Sequence, residues 1–327
     1  MWSFALAVIV ALGLCVVPRA ATAQAPSKTY RVGVLASSTE ANFGPGVKIF
    51  REALHAAGWV EGQNLVVDVR YTSGYAQLKQ LATELVRLKV DVIAALGTPA
   101  IQAAKEATTT IPIVMESLSD VVANGLVQNL ARPGGNVTGV SGFAPELSGK
   151  RLELIREILP KAERIAVLAN RSNPLTTSVV LRATEAAAQR MRMKLDITDA
   201  HGRSDLAPAF EAMRRKRADA LVIVVDPILF TERPLIVELA AKHRLPAIYE
   251  TRLFPEAGGF LSYGPRNQER WQRMAAYVDR ILRGANPGDL PIERPTTFEL
   301  VVNLKAAQAL GLTIPQSVLV RANEIIR

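Results

Sequence analysis

Two short corners of the chain carry the residues best suited to chemistry. Gly97-Thr98-Pro99 joins an apolar run to a helical stretch. Glycine permits a tight turn, threonine is a good N-cap, and proline suits the first helical position. The N–H groups and positive dipole opening such a helix could hold a carboxylate or another anion; a plain helix cap is the alternative. Asp226-Pro227 is the matching corner further along. Its carboxylate could cap its own helix or face a ligand ammonium. An anion site on one corner and an ammonium site on the other would suit an amino-acid zwitterion. Tyr249 and Tyr263 could stack on an aromatic or apolar ligand, although tyrosine in a strand commonly packs in the core.

Catalytic signatures are missing around these corners. His55, His201 and His243 are scattered over helix ends or loops without metal-ligand spacing. Gly142 to Lys150 resembles a P-loop, but six residues separate its glycines and Arg151 stands where Ser or Thr is required. Gly139-Val140-Ser141-Gly142 is one residue short of a nucleophile elbow. No G-x-G-x-x-G follows a strand. The basic run Arg214-Arg215-Lys216-Arg217 ends a predicted helix, where cations complement the dipole. The remaining charge is spread out, so nucleic acid is not an expected partner.

The chain has 327 residues, about half of them hydrophobic, with 39 Lys and Arg against 30 Asp and Glu. That composition excludes a disordered or low-complexity chain, and the length allows two domains with their own cores. Phe4 to Val17 is an uncharged apolar run followed by Ala21-Thr22-Ala23, the A-x-A form of a signal-peptidase site. The run is short for a membrane span. Residues 1–23 therefore read as a signal peptide cleaved after Ala23, with Gln24 as the mature N-terminus in a bacterial periplasm. The only cysteine, Cys15, lies in that segment. The mature chain then has no disulfide, thiol nucleophile or thiolate metal site.

Short β-branched runs alternate with amphipathic helical stretches, which predicts parallel α/β sheets. The first half offers strands at Tyr30–Ala36, Leu65–Tyr71, Val90–Leu96 and Ile111–Met115. The second half repeats them: Arg31–Ser37 returns as Arg164–Asn170, Val90–Pro99 as Ala218–Pro227, Ile111–Glu116 as Leu245–Glu250, and Gly134-Gly135 as Gly258-Gly259. The expected fold is two similar doubly wound parallel-sheet lobes joined by a hinge. Residues 24–145 with 266–290 form the N-terminal lobe, and 146–265 with 291–327 the C-terminal lobe. Ligands of open α/β sheets bind beyond the carboxyl ends of the strands. Two facing lobes then line a shared cleft with Ser37, Ser38, Thr98, Glu116 and Ser117 from one side. Asn170, Asp226, Tyr249 and Glu250 face them from the other.

Several stretches also resemble one family, the ABC-transporter substrate-binding proteins related to the tryptophan/tyrosine-type binders of bacteria. They are Gly58–Asn64, Ala95–Pro99, Ala131–Gly139, Glu146–Leu154, Leu245–Glu250, Gly258–Gly264, Val302–Lys305 and Leu310–Pro315. Gly97, Thr98 and Pro99 match the family's G-T-P junction. Asp120 matches its D-P-V element, but Val121 replaces the usual proline, and Asn323 stands where an acidic residue is common. The resemblance implies a type I periplasmic-binding fold and a non-catalytic receptor without cofactor or metal. It implies capture of a small organic solute, with aromatic or branched amino acids as the leading class. An inner-membrane permease is the implied partner, and a monomer is expected. An exported sensor subunit and a two-lobed periplasmic enzyme are the alternative readings.

Overall fold

The computed structural model describes residues 28–327 apart from residues 118, 143, 144 and 225, so the expected signal peptide and its expected cleavage after Ala23 lie outside the described residues. The chain opens with β1 (Tyr30–Ala36), α1 (Glu40–Ala56), β2 (Leu65–Tyr71), α2 (Tyr75–Arg87), β3 (Val92–Leu96), α3 (Thr98–Ala107), β4 (Ile113–Ser117) and β5 (Val137–Ser141). These five strands form one parallel sheet in the order β2-β1-β3-β4-β5. β1, β3 and β4 are apolar runs because helices cover both faces of a parallel sheet. Val32, Val34, Leu35, Ile93 and Ile113 are each at most 1 % exposed. Each such aliphatic side chain contributes roughly 1.5–3 kcal/mol when fully buried.

The second lobe follows with α4 (Pro145–Ile158), β6 (Arg164–Ala169), α5 (Pro174–Arg190), β7 (Lys194–Asp199), α6 (Arg203–Arg215) and β8 (Ala220–Ile223). It continues through α7 (Pro227–Thr231), α8 (Arg233–Lys242), β9 (Ala247–Tyr249), α9 (Leu253–Glu256) and β10 (Leu261–Pro265). After α10 (Asn267–Leu282), the chain ends with β11 (Phe298–Asn303), α11 (Leu304–Ala309), α12 (Gln316–Arg321) and β12 (Glu324–Ile326). The second sheet runs β12-β11-β10-β9-β8-β6-β7, with only β11 antiparallel to its neighbour β10. Its inner part, β7-β6-β8-β9-β10, repeats the first sheet strand for strand, in the order the sequence repeats predict.

α10 does not stay with the strand that precedes it. Its apolar face, including Trp271, Met274, Ala275 and Val278, joins the first lobe's core beside Val34 and Phe50. Gly46 on α1 makes room, since a Cβ there would drive into the Trp271 ring. The chain thus passes between the lobes three times: between β5 and α4, between β10 and α10, and between Glu293 and β11. The last passage falls later than the sequence division at residue 291. Ile292 packs in the first lobe's core and Glu293 bridges Val140 at the edge of β5. No helix among the described residues is long and apolar enough to cross a membrane.

Candidate functional site

Both sheets direct the carboxyl ends of their strands into a cavity of about 560 Å³ between the lobes. The first lobe lines it from the start of α1, the β3–α3 corner, the end of β4 and the start of α10. The second lobe lines it from the β8–α7 corner, the β9–α9 segment and the last two strands.

At the β3–α3 corner, Gly97 adopts φ +85°, and a Cβ there would collide with the Ser37 hydroxyl and reach 3.4 Å from Pro227 across the cleft. Only glycine meets both demands. Gly97 takes the N-cap position and Thr98 is the first helical residue, which corrects the reading of Thr98 as the cap. With the turn closed by glycine backbone, the Thr98 hydroxyl is released for other work. It bonds Ser119 at 2.8 Å and Ser117 at 3.2 Å in its own lobe, and Thr176 of α5 at 3.0 Å in the other.

The β8–α7 corner is built on a carboxylate instead. Asp226 Oδ1 accepts from the backbone N–H groups of Ile228 and Leu229 at 2.9 and 3.2 Å and from Asn170 Nδ2 at 3.0 Å. Its Oδ2 accepts from Asn173 Nδ2 at 3.0 Å and from the Tyr75 hydroxyl of the first lobe at 2.7 Å. Five donors saturate the group, so Asp226 caps its own helix, the first of the two readings its sequence offers, and latches the lobes. Beside the Asp226 carboxylate, burial pushes the Tyr75 hydroxyl far above the ordinary tyrosine value, so it acts purely as a donor.

Three further bonds cross the cleft nearby. Thr231 Oγ1 meets Ser38 Oγ at 2.8 Å and Asn42 Nδ2 at 3.0 Å, and Arg233 donates to Asn42 Oδ1. The Arg233 guanidinium also lies 4.7 Å above the Phe230 ring.

The aromatic wall comes from residues the sequence reading missed. Phe43 of α1 stacks on Phe230 of α7 across the cleft with centroids 6.3 Å apart, and it meets Trp271 of α10 edge-on at 6.0 Å. The two tyrosines expected in this role are elsewhere. Tyr249 is 1 % exposed in the second lobe's core, stacked on Phe254 at 4.3 Å, and Tyr263 packs against Phe298. The pleat explains the error, because Tyr249 and Glu250 are successive residues and turn to opposite sides. The available signal was position: Phe43 and Phe230 each follow a β–α corner, and Trp271 opens the helix that follows a lobe crossing.

Of the expected residues, Gly97, Thr98, Glu116, Asp226 and Glu250 reach the cavity wall. Ser37, Ser38, Pro99, Ser117 and Asn170 stand behind it; Ser37 donates to Leu96 O at 2.8 Å, and Asn170 supports Asp226. Glu116 forms a buried ion pair with Arg270 of α10. Glu250 is 4 % exposed and its Oε2 has no hydrogen-bond partner among the described residues. Burial pushes its carboxyl up to about 7, with Asp226 adding to the rise and Arg151 and Arg270 opposing it. Two residues further on, Arg252 is held by Glu256 and Glu324 at 2.6 Å and by Glu299 at 3.4 Å. Among the described residues no group of three or more His, Cys, Asp or Glu could hold a metal ion.

Two lobes crossed by three chain segments, with a solute-sized cavity walled from both sides, form the fold of the type I periplasmic-binding proteins. The chain belongs to the ABC transporter substrate-binding protein family, whose family model matches residues 31–326. It is the component of such a transporter that takes up a small ligand. It is 27 % identical over 266 residues to a tyrosine-binding protein of Clostridioides difficile, covering 81 % of this chain and 76 % of that one. A Streptococcus pneumoniae ABC domain solved with L-Trp superposes with a TM-score of 0.86 at 26 % identity, covering 91 % of this chain and all of that one. A ligand-free, open substrate-binding protein with adhesive properties from Clostridium difficile gives 0.67 at 25 % identity, covering 91 % and 99 %. Among the described residues, five hydrogen bonds join the two lobes across the cleft.

Proposed function

We propose that the chain is a periplasmic receptor for an aromatic amino-acid-like solute, released from its membrane signal after Ala23. It acts as a single chain, holds the solute between its lobes without making or breaking a bond, and presents the closed form to an inner-membrane permease. The observation that carries this reading is the aromatic wall of Phe43, Phe230 and Trp271, drawn from both lobes around one cavity. The volume of about 560 Å³ falls within the roughly 300–1,000 Å³ of small-molecule sites. A solute touching both lobes favours the closed state over the open one, because only differential contacts shift such an equilibrium. The L-Trp of one relative and the tyrosine of another support the ligand class.

The test is calorimetric titration of the mature chain with L-tryptophan, L-tyrosine, L-phenylalanine, L-leucine and benzoate, with the recovered solute checked by mass spectrometry. Saturable binding of at least one aromatic amino acid, returned unchanged, is expected. At 100 times its dissociation constant that solute adds about 2.7 kcal/mol of stability. Silence across the panel, or a converted solute, overturns the reading.

A further inference from the structure

We propose that the amino-terminal end of the second sheet, on the side of the lobe away from the cavity, is a docking surface for an anionic phospholipid bilayer. β7, β6, β8 and β9 lie side by side and begin nearly in register, with Lys194 opposite Arg164, Ala220 beside Ile165 and Ala247 beside Leu221. α5 covers one face of these strands, and α6 and α8 cover the other, so their carboxyl-terminal ends meet at one edge. At that edge the three helices finish alike. Arg192, Arg217 and Arg244 stand two residues past α5, α6 and α8 and adopt φ +54°, +55° and +51°. Glycine meets such a turn without strain. A cation that only offsets the helix dipole belongs in the last turn, where Arg190, Arg215 and Lys242 already stand. Three arginines beyond the last turn therefore accept backbone strain and put further charge at the tip of the lobe.

All three arginines are exposed, as are Lys194, Arg215 and Lys242, and none of these cations forms an ion pair among the described residues. The acids at this end are largely engaged. Asp196 holds Arg164 and Lys216, Glu211 holds Arg214, and Asp219 accepts the backbone N–H groups of Glu163 and Arg164. Glu163 and, a turn back on α8, Glu238 are the exposed counter-charges. The first lobe is built differently at the same end. Among the described residues only Lys89 holds the matching position there, after α2 at φ +53°, while Lys28 and Arg31 are paired with Asp91 and Asp68 at 2.9 and 2.8 Å. The second-lobe cations span four strands, about 15 Å, and come from helix ends on both faces of the sheet. They include no aromatic side chain on which bases could stack. A layer of phosphate headgroups repeats its charge over such a front, and attracts Lys and Arg within about a Debye length. Docked this way, the second lobe stands end-on, with the carboxyl ends of its strands and the cavity turned to the aqueous side.

The test is co-sedimentation of the mature chain with vesicles of phosphatidylglycerol and phosphatidylcholine in equal parts, against vesicles of phosphatidylcholine alone. At about 0.1 M salt, partitioning onto the anionic vesicles is expected to exceed that onto the neutral ones by about tenfold or more. It should fall by at least about tenfold at about 1 M salt, where the Debye length shrinks from about 10 Å to about 3 Å. The combined variant Arg192→Gly, Arg217→Gly and Arg244→Gly keeps the three turns, because glycine suits a positive φ. It should lose about tenfold or more of the partitioning while melting no earlier than the native chain. Lysine at the same three positions should retain the partitioning, and Lys89→Gly should leave it unchanged. Equal partitioning onto neutral vesicles, or undiminished partitioning of the glycine variant, overturns the assignment. So does capture by immobilised heparin of a chain that ignores the anionic vesicles. None of these outcomes touches the solute reading, which the amino-acid titration tests by itself.

Discussion

Glu116 and Glu250 occupy equivalent places, at the ends of β4 and β9, and the chain treats them differently. Glu116 is paired with Arg270 from the helix that crosses back into its lobe, whereas Glu250 keeps an oxygen without a partner among the described residues. The corners beside them diverge in the same way. The first-lobe corner closes on a glycine and frees a threonine hydroxyl; the second closes on a carboxylate gripped by five donors. The repeated β–α scaffold fixes where these groups stand, and the segments added outside the repeat decide what each one does. α10 is the clearest case, since it supplies both Arg270 and Trp271 to the cavity.

The harshest way to break this contrast is Asp226→Ala. It removes a helix cap and strands buried amide and hydroxyl donors, so a loss of about 4 kcal/mol is expected in urea unfolding. A loss below about 1 kcal/mol would mean that the corner does not depend on its carboxylate. Next is the pH profile of the empty protein. The Glu250 carboxyl is raised from 4.5 to about 7 by burial, so its stabilising contribution is fully present below about pH 4.5. It is lost as pH rises through about 7, by roughly 3 kcal/mol. Melting curves of Glu250→Gln should flatten between pH 5 and 8, and a profile parallel to the native one would count against the buried carboxyl. Gly97→Ala forces a side chain into φ +85° against Ser37, for an expected loss of about 2 kcal/mol. The equivalent change in an unstrained corner would cost little, so thermal unfolding of this variant separates a required glycine from an incidental one. The mildest change is Tyr75→Phe, which deletes a single cross-lobe bond worth about 1 kcal/mol. Small-angle scattering of the ligand-free variant should report a larger radius of gyration, and an unchanged radius would show that this bond does not hold the lobes together.

Much of the scaffold was legible because it rests on local patterns. Tyr30–Ala36 and Leu65–Tyr71 fall where apolar, β-branched runs put them, and the order of the repeats predicts the order of the strands. The corners were legible for the same reason, since Gly97-Thr98-Pro99 and Asp226-Pro227 are contiguous. What each corner bonds was not. Asp226 meets Tyr75 across 151 residues of chain, and Glu116 meets Arg270 across 154. The Tyr249 expectation failed on a single step of the pleat, which left its neighbour Glu250 on the cavity wall. Phe43 and Trp271 sit on amphipathic helices where an apolar residue reads as core, and both do pack in the first lobe's core while edging the cavity.

The three passages of chain between the lobes have a mechanical consequence. One linker would let the halves swivel freely, while three side by side resist torsion and leave bending about their common line as the easy movement. The two halves then return to one repeatable relative orientation each time they come together, and the spacing between them alone separates the shut form from the open one.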